Sequence, residues 1–286
     1  MTATFVVGRQ VIAEAARRKL LLALVLLTIV VIALTVWGIA RIEDLRSAGQ
    51  PLSEAQRRTI VSQLLILVMF MFSWVLSLAA VFVAAPAISG EVESGIALAL
   101  LSRPMSRAEY VIGKWLGLVA LVLGYAIAAA VIELVAVQAV SGYQPPHPIE
   151  FLAFVMGEAV AVLTLTLAFS TRIAGMVGGV IAAILFGIVW MGGIVGGVGA
   201  AFGNETITHV GTATKLILPT DGLWRGAVWS LEPAVVLAAQ TALGPAAAAN
   251  PFFATEPPPA AYVIWSVLWI AAVLAVAVWS FRGREV

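Results

Sequence analysis

Gly90-Glu91-Val92-Glu93-Ser94-Gly95-Ile96-Ala97-Leu98-Ala99-Leu100-Leu101-Ser102-Arg103-Pro104-Met105-Ser106-Arg107-Ala108-Glu109-Tyr110-Val111-Ile112-Gly113-Lys114 is a polar island between two long apolar runs. A connection between membrane spans needs only a few residues to reverse direction, yet this one has helix signals of its own. Ala85-Pro86 is expected to end the preceding run and turn the chain, because proline disfavours helix at the residue before it and supplies no backbone donor. Ser89 then caps a new helix with Glu91 and Glu93 in its first turn, where the helix dipole favours carboxylates. Residues 96–101 give that helix an apolar side, Arg103-Pro104 stops it, and Ser106-Arg107-Ala108-Glu109 is a capping box ahead of the next apolar run. The expectation is two short, stiff helices joined at an elbow.

Working outward, composition sets the class. Hydrophobic residues make up 62% of the 286, charged residues 11%, and the mean hydropathy is +1.06. That leaves too little polar surface to coat a soluble globule of this length, so an all-α integral membrane protein is expected. A formal net charge of +1 without a clustered basic face argues against a nucleic-acid partner. With no cysteine, disulfides, thiol nucleophiles and thiolate metal sites are excluded.

Crossing the hydrocarbon takes roughly 20 apolar residues, and six runs qualify: residues 20–40, 60–85, 110–140, 151–169, 173–201 and 260–281. The first is longer than a signal-peptide core and lacks a small-residue cleavage site. Six spans put the N-terminus, the 86–109 segment, Ser170-Thr171-Arg172 and Arg282-Gly283-Arg284 on one face, with most of the Lys and Arg. By the bias of cationic loops toward the cytoplasm, that face and both termini are cytoplasmic. Arg41, Arg46, Arg57 and Arg58 in the 41–59 loop run against the scheme, since they fall outside. Residues 5–19 are expected to lie along the interface as a helix, with Phe5, Gly8, Val11, Ile12, Ala15 and Ala16 on one side and Gln10, Glu14, Arg17 and Arg18 on the other.

Gly90-Glu91, Ser94-Gly95, Leu100-Leu101-Ser102-Arg103-Pro104, Ser106-Arg107 and Gly113-Lys114 together resemble the signature of permease subunits in the ABC-2 type transporter family. The likeness is concentrated in residues 90–114, and the six spans with an interfacial N-terminal helix agree with the family over 1–286 as one transmembrane domain. The resemblance implies that residues 86–109 form a cytosolic coupling segment docked on a separate ATP-hydrolysing subunit, with Glu91, Glu93, Arg103 and Arg107 as the coupling residues. It further implies no cofactor in this chain, ATP and Mg on an ATPase partner present in two copies, and a second permease copy. Outward transport across the cytoplasmic (inner) membrane of a prokaryote follows as an expectation, with an extracytoplasmic partner left open. Pro219-Thr220-Asp221-Gly222-Leu223-Trp224-Arg225 also resembles the permeases of nitrous-oxide-reductase maturation transporters in that family.

No nucleotide-binding motor is legible in the chain itself. A P-loop needs Gly-Lys-Ser or Gly-Lys-Thr, but Gly113-Lys114 is followed by Trp115, and the glycine run 192–199 has no lysine. The pairs Gly175/Gly179, Gly192/Gly196, Gly193/Gly197 and Gly199/Gly203 have the four-residue spacing that lets helices approach closely in lipid, whether within the chain, between copies or along a transport path. Ionisable residues inside spans are functional candidates. Glu133 lies deep, where it lines a transport path, pairs with a cation or is neutral and hydrogen-bonded; Glu158 is expected to reach the outer interface. In the outer 202–259 segment a turn and short helix are expected near Trp224 and Trp229, two residues suited to the headgroup belt. His147 and His209 are too separated for a metal site. An intramembrane hydrolase lacks its motifs here, and a secondary transporter or channel would show repeats or broken ion-lined helices, which are not visible.

Overall fold

Lipid offers the backbone no hydrogen-bond partner, so each apolar run satisfies its own amides as helix. The computed structural model describes residues 3–15, 19–42, 46–47, 50–102 and 105–284. Its elements are α1 (Ala3–Ala15), α2 (Lys19–Ile42), a two-residue hairpin pair β1 (Arg46–Ser47) and β2 (Gln50–Pro51), α3 (Glu54–Ala84), α4 (Pro86–Glu93), α5 (Ile96–Leu101), α6 (Arg107–Ser141), α7 (Pro148–Ser170), α8 (Gly175–Ala201), α9 (Glu205–Ile217), α10 (Thr220–Leu231), α11 (Ala234–Thr241), a short 3-10 helix Gly244–Ala249, and α12 (Ala260–Arg282). Among the described residues six helices are long and apolar enough to cross a membrane: α2, α3 run on into α4, α6, α7, α8 and α12.

Local chemistry sets the ends. Ser53 and Gln56 form a reciprocal capping box, so α3 starts at Glu54, ahead of the apolar run proper. Ser106 and Glu109 do the same for α6, which stops at Gly142 in the left-handed region, φ +68°. Asn204 caps α9 by accepting from the Ile207 amide at 3.1 Å.

α7 is the hub, packed on α3, α6, α8, α10 and α12. It can be, because Ala159, Ala161, Thr164 and Thr166 take little room and all are fully buried. Each threonine returns its hydroxyl proton to the carbonyl one turn back, Val160 and Val162 respectively.

The glycine-rich α8 packs within the chain. α9 folds back onto it so closely that a Cβ on Gly196 would sit 2.7 Å from the Gly211 Cα, and one on Gly199 would sit 2.7 Å from the Thr208 amide nitrogen. Gly175 and Gly179 instead lie against the α3–α4 joint. On α1, Val7, Gly8 and Val11 are buried against α6, but Phe5 and Ile12, expected beside them, are 57% and 41% exposed. The cause is on α6, where Gly113 and Gly117 form a flat track: a Cβ on Gly117 would lie 2.6 Å from the Gly8 carbonyl oxygen. Arg17 and Arg18 fall outside the described residues.

Three further expectations are corrected. The chain does not turn at Ala85-Pro86: Ala85 is helical (φ −55°, ψ −50°) and α4 continues α3. Glu158 does not reach the interface. It is 2% exposed and accepts a hydrogen bond from Ser73 on α3 at 2.6 Å. Trp224 is no belt residue, being 1% exposed with its ring against Phe70 and its indole N–H donated to the Pro251 carbonyl at 2.9 Å. α10 carries it inward against α7 and α3, and Trp229 stacks on His147 with 4.4 Å between ring centroids.

Candidate coupling segment and membrane cleft

Pro86 sits at the first position of α4, where a missing N–H costs least, but the amides following it still need acceptors. They find one on another span. Ser170, fully buried at the end of α7, accepts from the amides of Ile88 (3.2 Å) and Ser89 (3.1 Å) and donates its own proton to the Ala85 carbonyl (2.7 Å). Ser89 therefore does not cap α4 from its start. It lies within the helix and donates to Ala85 as well, at 3.2 Å. Glu91 and Glu93 consequently fall at the C-terminal end of α4 rather than in its first turn. Gly175 seals the joint, since a Cβ there would lie 2.8 Å from both the Ala85 carbonyl oxygen and the Ser89 hydroxyl.

The two carboxylates part company at this end. Glu91 points inward, accepting from the Tyr110 hydroxyl at 2.5 Å and pairing with Lys114, whose side chain is only 6% exposed. Tyr110 and Lys114 are four apart on α6 and so share a face; the ammonium also sits 5.8 Å from the centre of the Tyr110 ring. Glu93 points outward, and with Ser94, Ile96, Leu98 and Ala99 it makes an exposed surface, Ile96 and Leu98 at 51% and 57%. Gly95, φ +74°, makes the bend between α4 and α5 that lays this surface open.

Arg107 is committed elsewhere. Its guanidinium donates to the carbonyls of Phe281 (3.2 Å), Arg282 (2.9 Å) and Arg284, so it caps the C-terminus of α12, where a cation complements the helix dipole. Arg284 donates to the Thr171 carbonyl at 2.7 Å, and Arg172 to Ser280 at 3.0 Å. Of the four expected coupling residues, then, Glu93 is exposed, Glu91 and Arg107 fasten the segment's neighbourhood to spans, and Arg103 lies outside the described residues. The residues that sequence reasoning missed are Ser170, Tyr110 and Lys114. Tyr110 and Lys114 had a signal in their helical spacing; Ser170 had none, because its partners lie 81 and 82 positions away.

Glu133 stands far from all of these, in a cleft of about 210 Å³ between α2, α3 and α6, walled by Leu27, Val31, Met71, Phe72, Val75 and Tyr125. It is 4% exposed, and neither carboxyl oxygen has a hydrogen-bond partner among the described residues. The Thr35 hydroxyl beside it gives its proton to the Val31 carbonyl at 3.0 Å.

At the end of the bundle away from α4–α5, Glu232 at the end of α10 is fully buried between Gln63 of α3 (3.4 Å) and Gln240 of α11. Burial pushes its carboxyl up to about 7. Tyr143 donates to the neighbouring Leu231 carbonyl at 2.5 Å; burial and the nearby Glu232 hold its hydroxyl above the ordinary tyrosine range. Asp221, 1% exposed, is held by Lys215 (3.3 Å) and Arg225 (3.2 Å).

Residues 11–286 match the family model described as ABC-2 family transporter protein. The chain belongs to that family. None of the curated proteins compared with it matches. As an ABC-2 family chain with six candidate spans, it is a multi-pass membrane protein and a permease component of an ABC transporter. ABC-2 permeases generally work with an ABC ATPase.

Proposed function

We propose that this permease is the membrane half of an exporter in the cytoplasmic membrane of a prokaryote, with both termini inside, and that a separate ATPase holding ATP and Mg docks on the exposed face of α4–α5. The observation that bears most weight is the division of labour at α4: Glu93, Ile96 and Leu98 face outward, while Glu91 is locked to α6 and the Pro86 joint is locked to α7. A motor moves membrane helices only through an element stiff enough not to absorb the displacement. Here the stiffness is supplied by hydrogen bonds from two other spans. An apolar strip beside a charge also suits docking, the strip giving area and Glu93, with Arg103, giving orientation. Two permease copies and two ATPase copies complete the transporter, and Glu133 lines part of the substrate path.

The test separates docking from transmission. Ile96→Asp with Leu98→Asp should cut co-purification of the co-expressed ATPase roughly tenfold or more, because two half-exposed aliphatic side chains can no longer be buried. Glu91→Gln, which breaks the internal ion pair only, should retain the ATPase but lose ATP-driven transport in proteoliposomes. Full co-purification by the double aspartate variant would refute the assigned docking face.

A further inference from the structure

The cleft between α2, α3 and α6 differs from an ordinary lipid-facing groove in one respect. Its walls are apolar along almost their whole length, yet Glu133 stands in it, 4% exposed, with two carboxyl oxygens that accept no hydrogen bond from the described residues. A polar group left so in a low-dielectric setting is costly. The hydroxyls nearby are all engaged: Thr35 donates to Val31 at 3.0 Å, and Thr28 and Tyr125 are hydrogen-bonded to each other at 2.6 Å, with Leu24 as a further acceptor for Thr28 at 2.9 Å. Among the described residues no Lys, Arg or His lines the cleft. The site therefore offers apolar wall for a tail and an unanswered demand for N–H or O–H donors at one place.

We propose that this cleft binds a single-tailed amphiphile with a protonated amine head, its tail between α2 and α3 and its ammonium donating to Glu133. An ammonium brings three donors and no acceptor, enough for both carboxyl oxygens without adding a group that the apolar walls would leave unpaired. Its charge complements the carboxylate in a setting where charge-assisted bonds are strongest. Entry is sideways from the bilayer, since Leu27 and Met71 at the cleft rim are 45% and 50% exposed on candidate spans. Tyr125 and Glu133, at eight helical steps of about 1.5 Å, are roughly 12 Å apart along α6, which suits a tail of medium length. That the bound amphiphile is cargo rests on the reading of the chain as a transport subunit; that it binds does not.

The experiment is equilibrium binding of radiolabelled dodecylamine to the full chain in phosphatidylcholine nanodiscs, with dodecanol and dodecanoate as length-matched competitors. Dodecylamine should bind saturably, with the alcohol and the carboxylate each competing at least roughly tenfold less well. Glu133→Gln should abolish the preference for the amine. Met71→Trp, which keeps the carboxyl and crowds the half-exposed rim, should abolish saturable binding, and it decides the matter if Glu133→Gln fails to insert. Unchanged amine affinity in Glu133→Gln, retained saturable binding in Met71→Trp, or equal competition by the alcohol, which would mean ordinary lipid packing, each overturns the proposal. ATPase co-purification from the same membranes separates the two readings: retained ATPase without amine binding sinks the cleft alone, and amine binding without ATPase sinks the docking face alone.

Discussion

Replacing Ser170 by alanine removes one oxygen and strands two buried amides. In the native chain the Ile88 and Ser89 N–H groups donate to that oxygen, and it donates in turn to the Ala85 carbonyl. The carbonyl keeps a donor in Ser89, so the loss is concentrated in the two amides. A buried donor left unsatisfied costs about 1–3 kcal/mol, which puts Ser170→Ala at about 2–4 kcal/mol once some relaxation of the α3–α4 joint is allowed. Ser170→Thr, which keeps the hydroxyl, should cost less than Ser170→Ala. The assay is reversible unfolding in bicelles by steric trapping, with biotin labels flanking the α3–α4 joint, alongside ATP-driven transport by the complex. The α3–α4 joint should soften as well as weaken, so that ATP turnover continues while transport per ATP falls. A loss below about 0.5 kcal/mol with intact transport would show that the amides are satisfied otherwise, and the staple would then have no mechanical meaning.

Two further outcomes follow from other contacts. Glu232, raised from 4.5 to about 7 in the folded chain by burial, binds its proton more tightly folded than unfolded. Its contribution to stability is therefore complete below pH 4.5, declines as pH rises toward 7, and is flat above that. At 1.36 kcal/mol per unit the decline is at most about 3 kcal/mol, and pH-dependent hydrogen exchange of α10 and α11 should show it in the native chain and not in Glu232→Gln. Gly117→Val should lift α1 from α6, since the first added carbon already meets the Gly8 backbone at 2.6 Å; a cost of about 1–3 kcal/mol is expected, read as new accessibility of a cysteine placed at Val7 or Val11.

The spans were legible because the bilayer leaves a run of apolar residues one structural option, and the Ser106–Glu109 capping box was legible because both partners lie within one turn. The expected turn at Ala85-Pro86 failed for the opposite reason. Proline at position 86 implies a break only if the freed amides find no acceptor, and the acceptor is Ser170, on a different helix. Glu158 was placed at the interface because Ser73, which accounts for its burial, lies 85 positions away. Trp224 and Trp229 look alike to a composition rule, yet the first is drawn into an aromatic cluster that no local pattern announces. Glu91 and Glu93 are likewise equivalent in sequence; only the orientation of α4 against Tyr110 and Lys114 makes one a fastener and the other a surface.

Phe70 of α3 touches Trp74, Trp190, Trp224 and Phe252, with ring centroids 5.0 to 5.9 Å apart. Rings interlocked from α3, α8, α10 and the chain after Asn250 leave the middle of α3 little freedom to bend. A load applied at the foot of that helix is then converted to tilt about the aromatic knot. From Phe70 to Pro86 is about 24 Å at 1.5 Å per residue, so a 2 Å push at Pro86 rotates the span by about 5°. If the ATPase docks as proposed above, the knot serves as a fulcrum and the helix as a rigid moment arm, and small strokes at the α4 end become tilt of the whole span.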